Sequence, residues 1–475
     1  MQRQTKVIAT MGPSVASAEG VRALVDAGMD VARLNFSHGG HDLHRRFHEW
    51  VRGAAAASGR TIAIMQDIQG PKLRVGEFPG GGIELEKDTE VELLPDSGSG
   101  DPGRIPIGYA QLLSDVNPGD RVILADGLVS CEVVGRSDSS LRARVVTGGA
   151  LTDNKGVAFP DSSLSVGNIT PKDEADLAFG RELGVDFVAT SFVRSASDVE
   201  AVAALAGDVP IIAKIELAQA LDNLDEILKV SFGVMVARGD LGVQLPLDRL
   251  PLIQSDILKR ANAAGRVAVT ATEMLESMTH NPRPTRAEVT DVAHAVEGGT
   301  DAVMLSGETA VGDYPAETVR AMARICQTIE EGTLASQEPV PFVVGENDVA
   351  SAVAQAATQI AQNVGARTIV AFTESGSTAR LISKYRPTQR VVAFTPNTTT
   401  RRRMALYWGI QPHVFERRAY TDDEMNAAAE ILQAEGVATP GETVVMVGGV
   451  PPNVQAATNM VKVHQIGELS GALGG

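Results

Sequence analysis

Ile211-Ile212-Ala213-Lys214-Ile215-Glu216, and after it Gly233-Val234-Met235-Val236-Ala237-Arg238-Gly239-Asp240, are short apolar runs that each end in charge. Runs of this kind, rich in β-branched residues and followed by helical patterns, recur over the first two thirds of the chain. There are eight: Lys6 to Thr10, Val31 to Phe36, Thr61 to Ile68, Phe187 to Val193, Pro210 to Glu216, Gly233 to Asp240, Val267 to Met274 and Ala302 to Glu308. Between them the apolar period is helical: Leu43, Phe47, Trp50, Val51 and Ala54 share one face, as do Val289, Val292, Ala293 and Val296. Strand-then-helix repeated eight times predicts a closed parallel TIM-type (β/α)8 barrel, with a doubly wound open sheet as the alternative.

In such a barrel, functional groups stand at the C-terminal ends of strands. Here those ends are polar: Arg33, Asn35 and Ser37 alternate after the second run, Asp67 ends the third, and Lys214, Glu216, Asp240, Thr272, Ser306 and Glu308 end later ones. The hydroxyls and Asp by themselves read equally well as helix N-caps. Charged Arg33 and Lys214 inside apolar runs do not. Alternate residues of a strand share a face, so Lys214 and Glu216 point the same way, and Asp240 at the end of the next run completes a pair of carboxylates beside an ammonium. A hard divalent cation such as Mg²⁺ takes a few carboxylate oxygens together with substrate phosphate and water. Zinc would call for His or Cys, which do not accompany the pair. The competing reading is two strand-end acids capping the helices that follow.

Between the third and fourth runs about 90 residues interrupt the alternation, too many for a plain loop. Gly82-Ile83-Glu84-Leu85-Glu86 and Arg121-Val122-Ile123-Leu124 read as strands there, punctuated by Gly, Pro and Asp. This predicts a small β insert placed as a lid over the barrel mouth. Glu331-Gly332-Thr333-Leu334-Ala335-Ser336-Gln337-Glu338-Pro339 reads as a linker, and an α/β unit follows with strand candidates at Thr368 to Thr373, Arg390 to Thr395, Pro412 to Glu416, Thr443 to Gly448 and Met460 to Ile466. The expected division is 1–69 and 160–335 for the barrel, 70–159 for the lid and 345–475 for a C-terminal open-sheet domain.

Composition narrows the function. At 475 residues with 44% hydrophobic content the chain has ample core, and a formal net charge of −17 disfavours a nucleic-acid footprint. Two distant cysteines, Cys131 and Cys326, exclude a disulfide framework, and with no signal-peptide pattern or membrane-spanning apolar run the expectation is a cytoplasmic protein. No Gly-Lys dipeptide exists, which removes a Walker A loop. Four of the eight histidines crowd into Ser37 to His48, where His41, His44 and His48 share a helical face. A solvated helix face is the better reading there than a metal site, because no acid or Cys completes the set. Thr373-Glu374-Ser375-Gly376-Ser377-Thr378 follows a strand and opens a helix, which suits either an effector phosphate or a plain cap, with Glu374 adding an unhelpful charge.

Taken together the segments resemble the pyruvate kinase family along essentially the whole chain. The carriers are Met29-Asp30-Val31-Ala32-Arg33-Leu34-Asn35-Phe36-Ser37-His38-Gly39, Asp67-Ile68-Gln69-Gly70-Pro71-Lys72-Leu73-Arg74, Lys214-Ile215-Glu216, Met235 to Gly242, Ala271-Thr272-Glu273-Met274-Leu275-Glu276-Ser277-Met278, Pro282 to Glu288 and Met304-Leu305-Ser306-Gly307-Glu308-Thr309-Ala310. The resemblance implies a TIM barrel with a small β-barrel lid after its third strand and a C-terminal α/β regulatory domain. It implies Mg²⁺-dependent phosphoryl transfer from phosphoenolpyruvate to ADP, giving pyruvate and ATP, the last step of glycolysis, with Mn²⁺ as a substitute metal.

By the same resemblance Glu216 and Asp240 hold the metal, Lys214 stabilises the phosphoryl group in flight and the enolate, and Arg33 grips the phosphoryl group. Gly239, Asp240 and Thr272 orient the substrate carboxylate, while Thr272 and Ser306 organise a proton-donating water. Asn35, His38, Arg74 and Lys155 meet the nucleotide, which brings a second Mg²⁺. A K⁺ position is implied at Asn35, Ser37, Asp67 and the Ile68 carbonyl. Here the chain departs from the K⁺-requiring pattern, because Lys72 stands where those enzymes carry Glu, and its ammonium is expected to make K⁺ dispensable. Glu273, where Gln is common in the family, is a second departure. The family implies a homotetramer and leaves the effector open among fructose bisphosphate, AMP, ribose phosphate or none. The rivals, a metal-dependent aldolase and a sugar-phosphate sensor on an inactive barrel, do not call for Arg74 and Lys155 in the first case or for an intact Lys214 and acid pair in the second.

Overall fold

The computed structural model of the protein describes residues 3–333, 348–450 and 457–468. Among them, eight parallel strands close into a barrel in the order Lys6–Thr10, Ala302–Leu305, Val267–Ala271, Gly233–Ala237, Ile211–Ile215, Phe187–Thr190, Ala63–Asp67 and Val31–Asn35. Every sequence run supplies one strand, but most strands stop short of the run's end. Asp240 lies in the helix Arg238–Gln244 and not on the strand, which ends at Ala237. Period-two alternation sorts the strands' side chains. Ile8, Met65, Phe187, Ile212, Met235 and Met304 fill the barrel, whereas Val7, Leu34, Ile64, Val188 and Ile215 pack outward on the helices.

The insert separates strands Ala63–Asp67 and Phe187–Thr190, which still pair directly in the barrel. It holds a six-stranded sheet and the two-stranded pair Gly82–Leu85 with Gly149–Thr152 around one apolar core that includes Leu93, Val122, Val133 and Leu151. Residues 73–76 bridge the two edges of the six-stranded sheet, the Leu73 carbonyl accepting the Val157 N–H at 3.0 Å and the Gly76 N–H donating to the Pro106 carbonyl at 2.9 Å, so the sheet closes on itself as the β-barrel the resemblance implies. The C-terminal domain is a five-stranded sheet ordered Ile410–Val414, Arg390–Thr395, Thr368–Phe372, Thr443–Gly448 and Met460–Gln465, with only the last strand antiparallel. The third of these in chain order begins at Ile410 and not at Pro412. The expected linker falls largely outside the described residues. No helix of the described residues is long and apolar enough to cross a membrane.

Three aspartates fix the barrel's N-terminal rim by one device. Asp30, Asp186 and Asp301 each stand one residue ahead of a strand and accept the backbone N–H of a neighbouring strand, from Val7, Ile64 and Ala268. Buried carboxylates need cations, and the C-terminal domain supplies several. Arg402 joins Arg52 on Asp186, both at 2.7 Å, and Lys384 and Arg386 sit 2.5 and 2.9 Å from Asp301.

Candidate functional site

Lys214 rises from the strand Ile211–Ile215, whose apolar residues are buried. Its ammonium lies 2.7 Å from Glu216 Oε1, 2.7 Å from Ser191 Oγ and 3.4 Å from Asp67 Oδ1. Burial works against the charged amine, but Asp67 and then Glu216 outweigh it and raise its pKa, so Lys214 is cationic at neutral pH. Glu216 is 1% exposed. Burial raises its pKa, Lys214 opposes that, and Asp240 adds to it. Its second oxygen accepts the Phe192 N–H at 2.8 Å.

Asp67, at the end of its strand, is the common counter-ion of two cations. Arg33 Nε donates to it at 2.7 Å while Lys214 stands on its other oxygen. Despite burial, these cations hold its carboxyl below the ordinary range. Arg33 also donates to Thr10 Oγ1 at 3.0 Å, and Thr10 in turn donates to the Leu305 carbonyl. From sequence Asp67 is a strand-end acid and a monovalent-cation position by resemblance, while Thr10 and Ser191 carry no such signal.

Asp240 follows the next strand, Gly233–Ala237, and lies beside a strained corner that ends the strand after it, Val267–Ala271. Thr272 and Glu273 have φ of +68° and +52°, a left-handed conformation unusual for residues with a Cβ. Arg238, nearly buried, spans the corner with hydrogen bonds to the carbonyls of Ala271, Thr272 and Glu273 and an ion pair to Asp291 at 2.6 Å. The Gly239 N–H, expected to face substrate, donates instead to Thr272 Oγ1 at 2.8 Å, and that hydroxyl donates to the Ala271 carbonyl. Ser306 Oγ is buried with no hydrogen-bond partner among the described residues, while its N–H is held by Glu308.

Asp240 and Glu216 line one cleft between barrel and lid, together with Lys72 and Gly156. Lys72 also borders a polar recess lined by Arg74 and Asn154. Arg74 donates to the Asn154 carbonyl and bridges Gly156, so exposed Lys155 lies beside it on the adjoining segment. The Lys72 ammonium stands 3.8 Å from Asp240 and 4.0 Å from Asp126. Among the described residues it makes no ion pair with Asp67, whose cations are Arg33 and Lys214, so the expected substitution at the monovalent position is not the contact seen. Of the other groups expected there, Asn35 Oδ1 accepts the Ser37 N–H, and the Ile68 carbonyl accepts from Ser191.

His38 is exposed at the barrel rim. The histidine cluster disperses: His41 pairs with Asp176 at 2.7 Å, His44 stacks on Phe36, and no group of metal-binding side chains forms among the described residues. At Thr373–Thr378, Thr373 Oγ1 accepts the Gly376 N–H, Thr378 meets Thr458, and Arg417 lies 3.4 Å from Glu374, offsetting its charge.

A parallel barrel that gathers an ammonium, a guanidinium and two acids at its strand ends, under an inserted β lid, defines a barrel enzyme built for a small anionic substrate. Comparison narrows the class. Residues 2–319 match the family model "Pyruvate kinase, barrel domain" and residues 351–464 match "Pyruvate kinase, alpha/beta domain". The pyruvate kinase of Corynebacterium glutamicum is 41% identical over 98% of both chains. That of Geobacillus stearothermophilus is 41% identical over 99% of this chain and 81% of its own. A crystal structure of a pyruvate kinase from Cryptosporidium parvum superposes with a TM-score of 0.90 at 35% identity, covering 98% of this chain and 96% of the other. The chain belongs to the pyruvate kinase family.

Proposed function

We propose that this chain transfers the phosphoryl group of phosphoenolpyruvate to ADP, with Lys214 as the group that makes the transfer possible. The observation that carries the reading is the Lys214 ammonium held between Asp67 and Glu216 at the strand ends, in a cleft that Glu216 shares with Asp240. As the bond from phosphorus to the enol oxygen breaks and a bond to an ADP oxygen forms, negative charge spreads over the phosphoryl oxygens and the enolate. A fixed cation in a dry site stabilises that charge without reorganising. Arg33, set by Asp67 and Thr10, faces the phosphoryl group from the other side. The enolate then takes a proton at carbon, and the unpaired Ser306 hydroxyl with Thr272 suits holding the donor water. Relaxation to the ketone favours ATP synthesis.

The acids fit a hard divalent cation. Glu216 and Asp240 line one cleft, in which Asp126 also stands but forms no three-member metal-binding group with them among the described residues, and burial already penalises an uncompensated Glu216 charge. These two residues would hold Mg²⁺, or Mn²⁺ in its place, which when bound supplies Lewis-acid neutralisation of substrate oxygens. Asn35, His38, Arg74 and Lys155 would receive ADP with its own Mg²⁺, Arg74 and Lys155 lying together on the lid. Lys72, a fixed positive charge in the cleft, supports turnover without K⁺ even though it neighbours Asp240. Gly239, Asp240 and Thr272 would meet the substrate carboxylate once the Gly239 N–H is released. The loop Thr373–Thr378, its acid offset by Arg417, would take a phosphorylated effector. A cytoplasmic homotetramer, divided at the boundaries given above, completes the proposal.

The test is direct. Protein mixed with phosphoenolpyruvate, ADP and MgCl₂ should release pyruvate and ATP in equal amounts, and EDTA in excess should stop it. Absence of pyruvate with metal present would overturn the reading.

A further inference from the structure

We infer that the two-residue turn Ser191–Phe192 is a positioning element for the reaction, Ser191 aiming the Lys214 ammonium and the Phe192 amide aiming Glu216. The inference rests on the phosphoryl-transfer reading and adds two residues to it. Ser191 Oγ donates its only proton to the Ile68 carbonyl at 2.9 Å, so what it presents to Lys214, 2.7 Å away, is a lone pair. The ammonium therefore has a neutral acceptor that fixes its direction besides two anions that fix its charge. One residue on, the Phe192 N–H donates to Glu216 Oε2 at 2.8 Å while Oε1 faces Lys214. The turn thus holds both partners of the Lys214–Glu216 pair.

Phe192 reaches that position with φ of +55°, a conformation that bulky residues rarely adopt. Strained backbone of this kind persists where the surroundings over-determine it, and the surroundings are visible. Gly70, itself at φ +66°, lies so close that a Cβ there would come within 3.0 Å of the Phe192 ring and 3.2 Å of Ser191 Cβ. The Gly70 N–H is anchored on Asp173, whose other oxygen takes the Thr170 N–H at the start of a helix. Gly70 immediately precedes Pro71 and Lys72, where the chain leaves the barrel for the lid. The exit to the lid is thus packed on the turn that sets the ammonium and the acid.

Two sets of variants test this. Ser191→Ala should lower kcat by about 10- to 100-fold with the KM for phosphoenolpyruvate within about threefold, the split expected when orientation and not binding is lost. Ser191→Thr, which keeps the hydroxyl, should recover most of the loss. If Ser191 served only to satisfy the Ile68 carbonyl, Ser191→Ala would lower the melting temperature and leave kcat per folded molecule within twofold, which overturns the assignment.

For Phe192 the readout is Mn²⁺ affinity in the absence of substrate, from the electron paramagnetic resonance of free Mn²⁺. Gly accepts positive φ and keeps the amide in place, whereas β-branched Val resists it. Phe192→Gly should therefore bind Mn²⁺ within about threefold of the unaltered protein and Phe192→Val about tenfold more weakly. Equal affinity in the two variants refutes the role of the amide. Should the unaltered protein itself form no pyruvate, the phosphoryl-transfer reading fails, and the Mn²⁺ comparison still decides the role of Phe192.

Discussion

Replacing Asp301 by Asn should unfasten the C-terminal domain from the barrel. Asp301 is 1% exposed, with the Lys384 ammonium at 2.5 Å and the Arg386 guanidinium at 2.9 Å. Asn keeps the shape and still accepts the Ala268 N–H, but leaves two buried cations without their anion. At an effective dielectric of 20 the lost attraction is about 6 kcal/mol per cation before desolvation is counted, and breaking a buried pair at one partner costs about 3–5 kcal/mol net. Lysine has an escape. Burial already pushes the Lys384 pKa down to about 8, with Asp301 opposing that fall. Without Asp301 it should fall below 7, and giving up the proton at pH 7 costs at most about 5 kcal/mol against an unfolded lysine near 10.5.

The variant therefore acquires a pH signature. Between pH 7 and 8 its unfolded state binds about one more proton than its folded state, so its stability rises by about 1.4 kcal/mol per pH unit. In the unaltered protein Lys384 is only half deprotonated at pH 8, so stability rises by about 0.4 kcal/mol over the same interval. Trp408, 5% exposed with the Arg386 guanidinium 4.8 Å from its ring centre, is a built-in reporter. Its fluorescence in a Trp50→Phe background would follow urea unfolding at the two pH values. A loss under about 1 kcal/mol, or equal pH slopes in variant and parent, would refute the reasoning.

Two further outcomes are expected. Turnover in sodium-free Tris buffer should change by less than about twofold on adding KCl, because Lys72 places a permanent positive charge in the cleft; strict dependence on KCl would contradict this. His44 is buried against Phe36, its Nδ1 has no partner among the described residues, and burial lowers its pKa to about 4. From pH 6.5 down to 4 the unfolded chain takes a proton that the folded chain refuses, so stability falls on acidification. His44→Phe should flatten that slope in urea midpoints taken between about pH 7 and 5, and an unchanged slope would clear His44 of the effect.

The strands were legible because eight β-branched runs alternate with 3.6-period patterns, and Lys214 and Glu216 because a two-residue spacing puts both on one face. Run ends misled where a tertiary contact cut the strand. Past Ala237, Arg238 turns to bind the carbonyls of the strained Thr272–Glu273 corner, and Asp240 passes into a helix. Ser191 and Thr10 carried no signal beyond that of ordinary caps, since their meaning lies in a neighbouring strand's charged side chain. Lys72 stood out as a departure from the family, but its pairing with Asp240 depends on how the lid is seated, which no local pattern records. The crowded histidines went the other way, a cluster in sequence whose members take separate partners in space.

The central claim is that the Lys214 ammonium, held against Glu216 and Asp67, carries phosphoryl transfer. Lys214→Met, assayed for pyruvate release beside calorimetric titration with phosphoenolpyruvate and Mg²⁺, isolates it. Turnover should fall by about 10²- to 10³-fold or more while substrate affinity changes by less than about tenfold. A Lys214→Met protein that still turns over within tenfold of its parent would contradict the account.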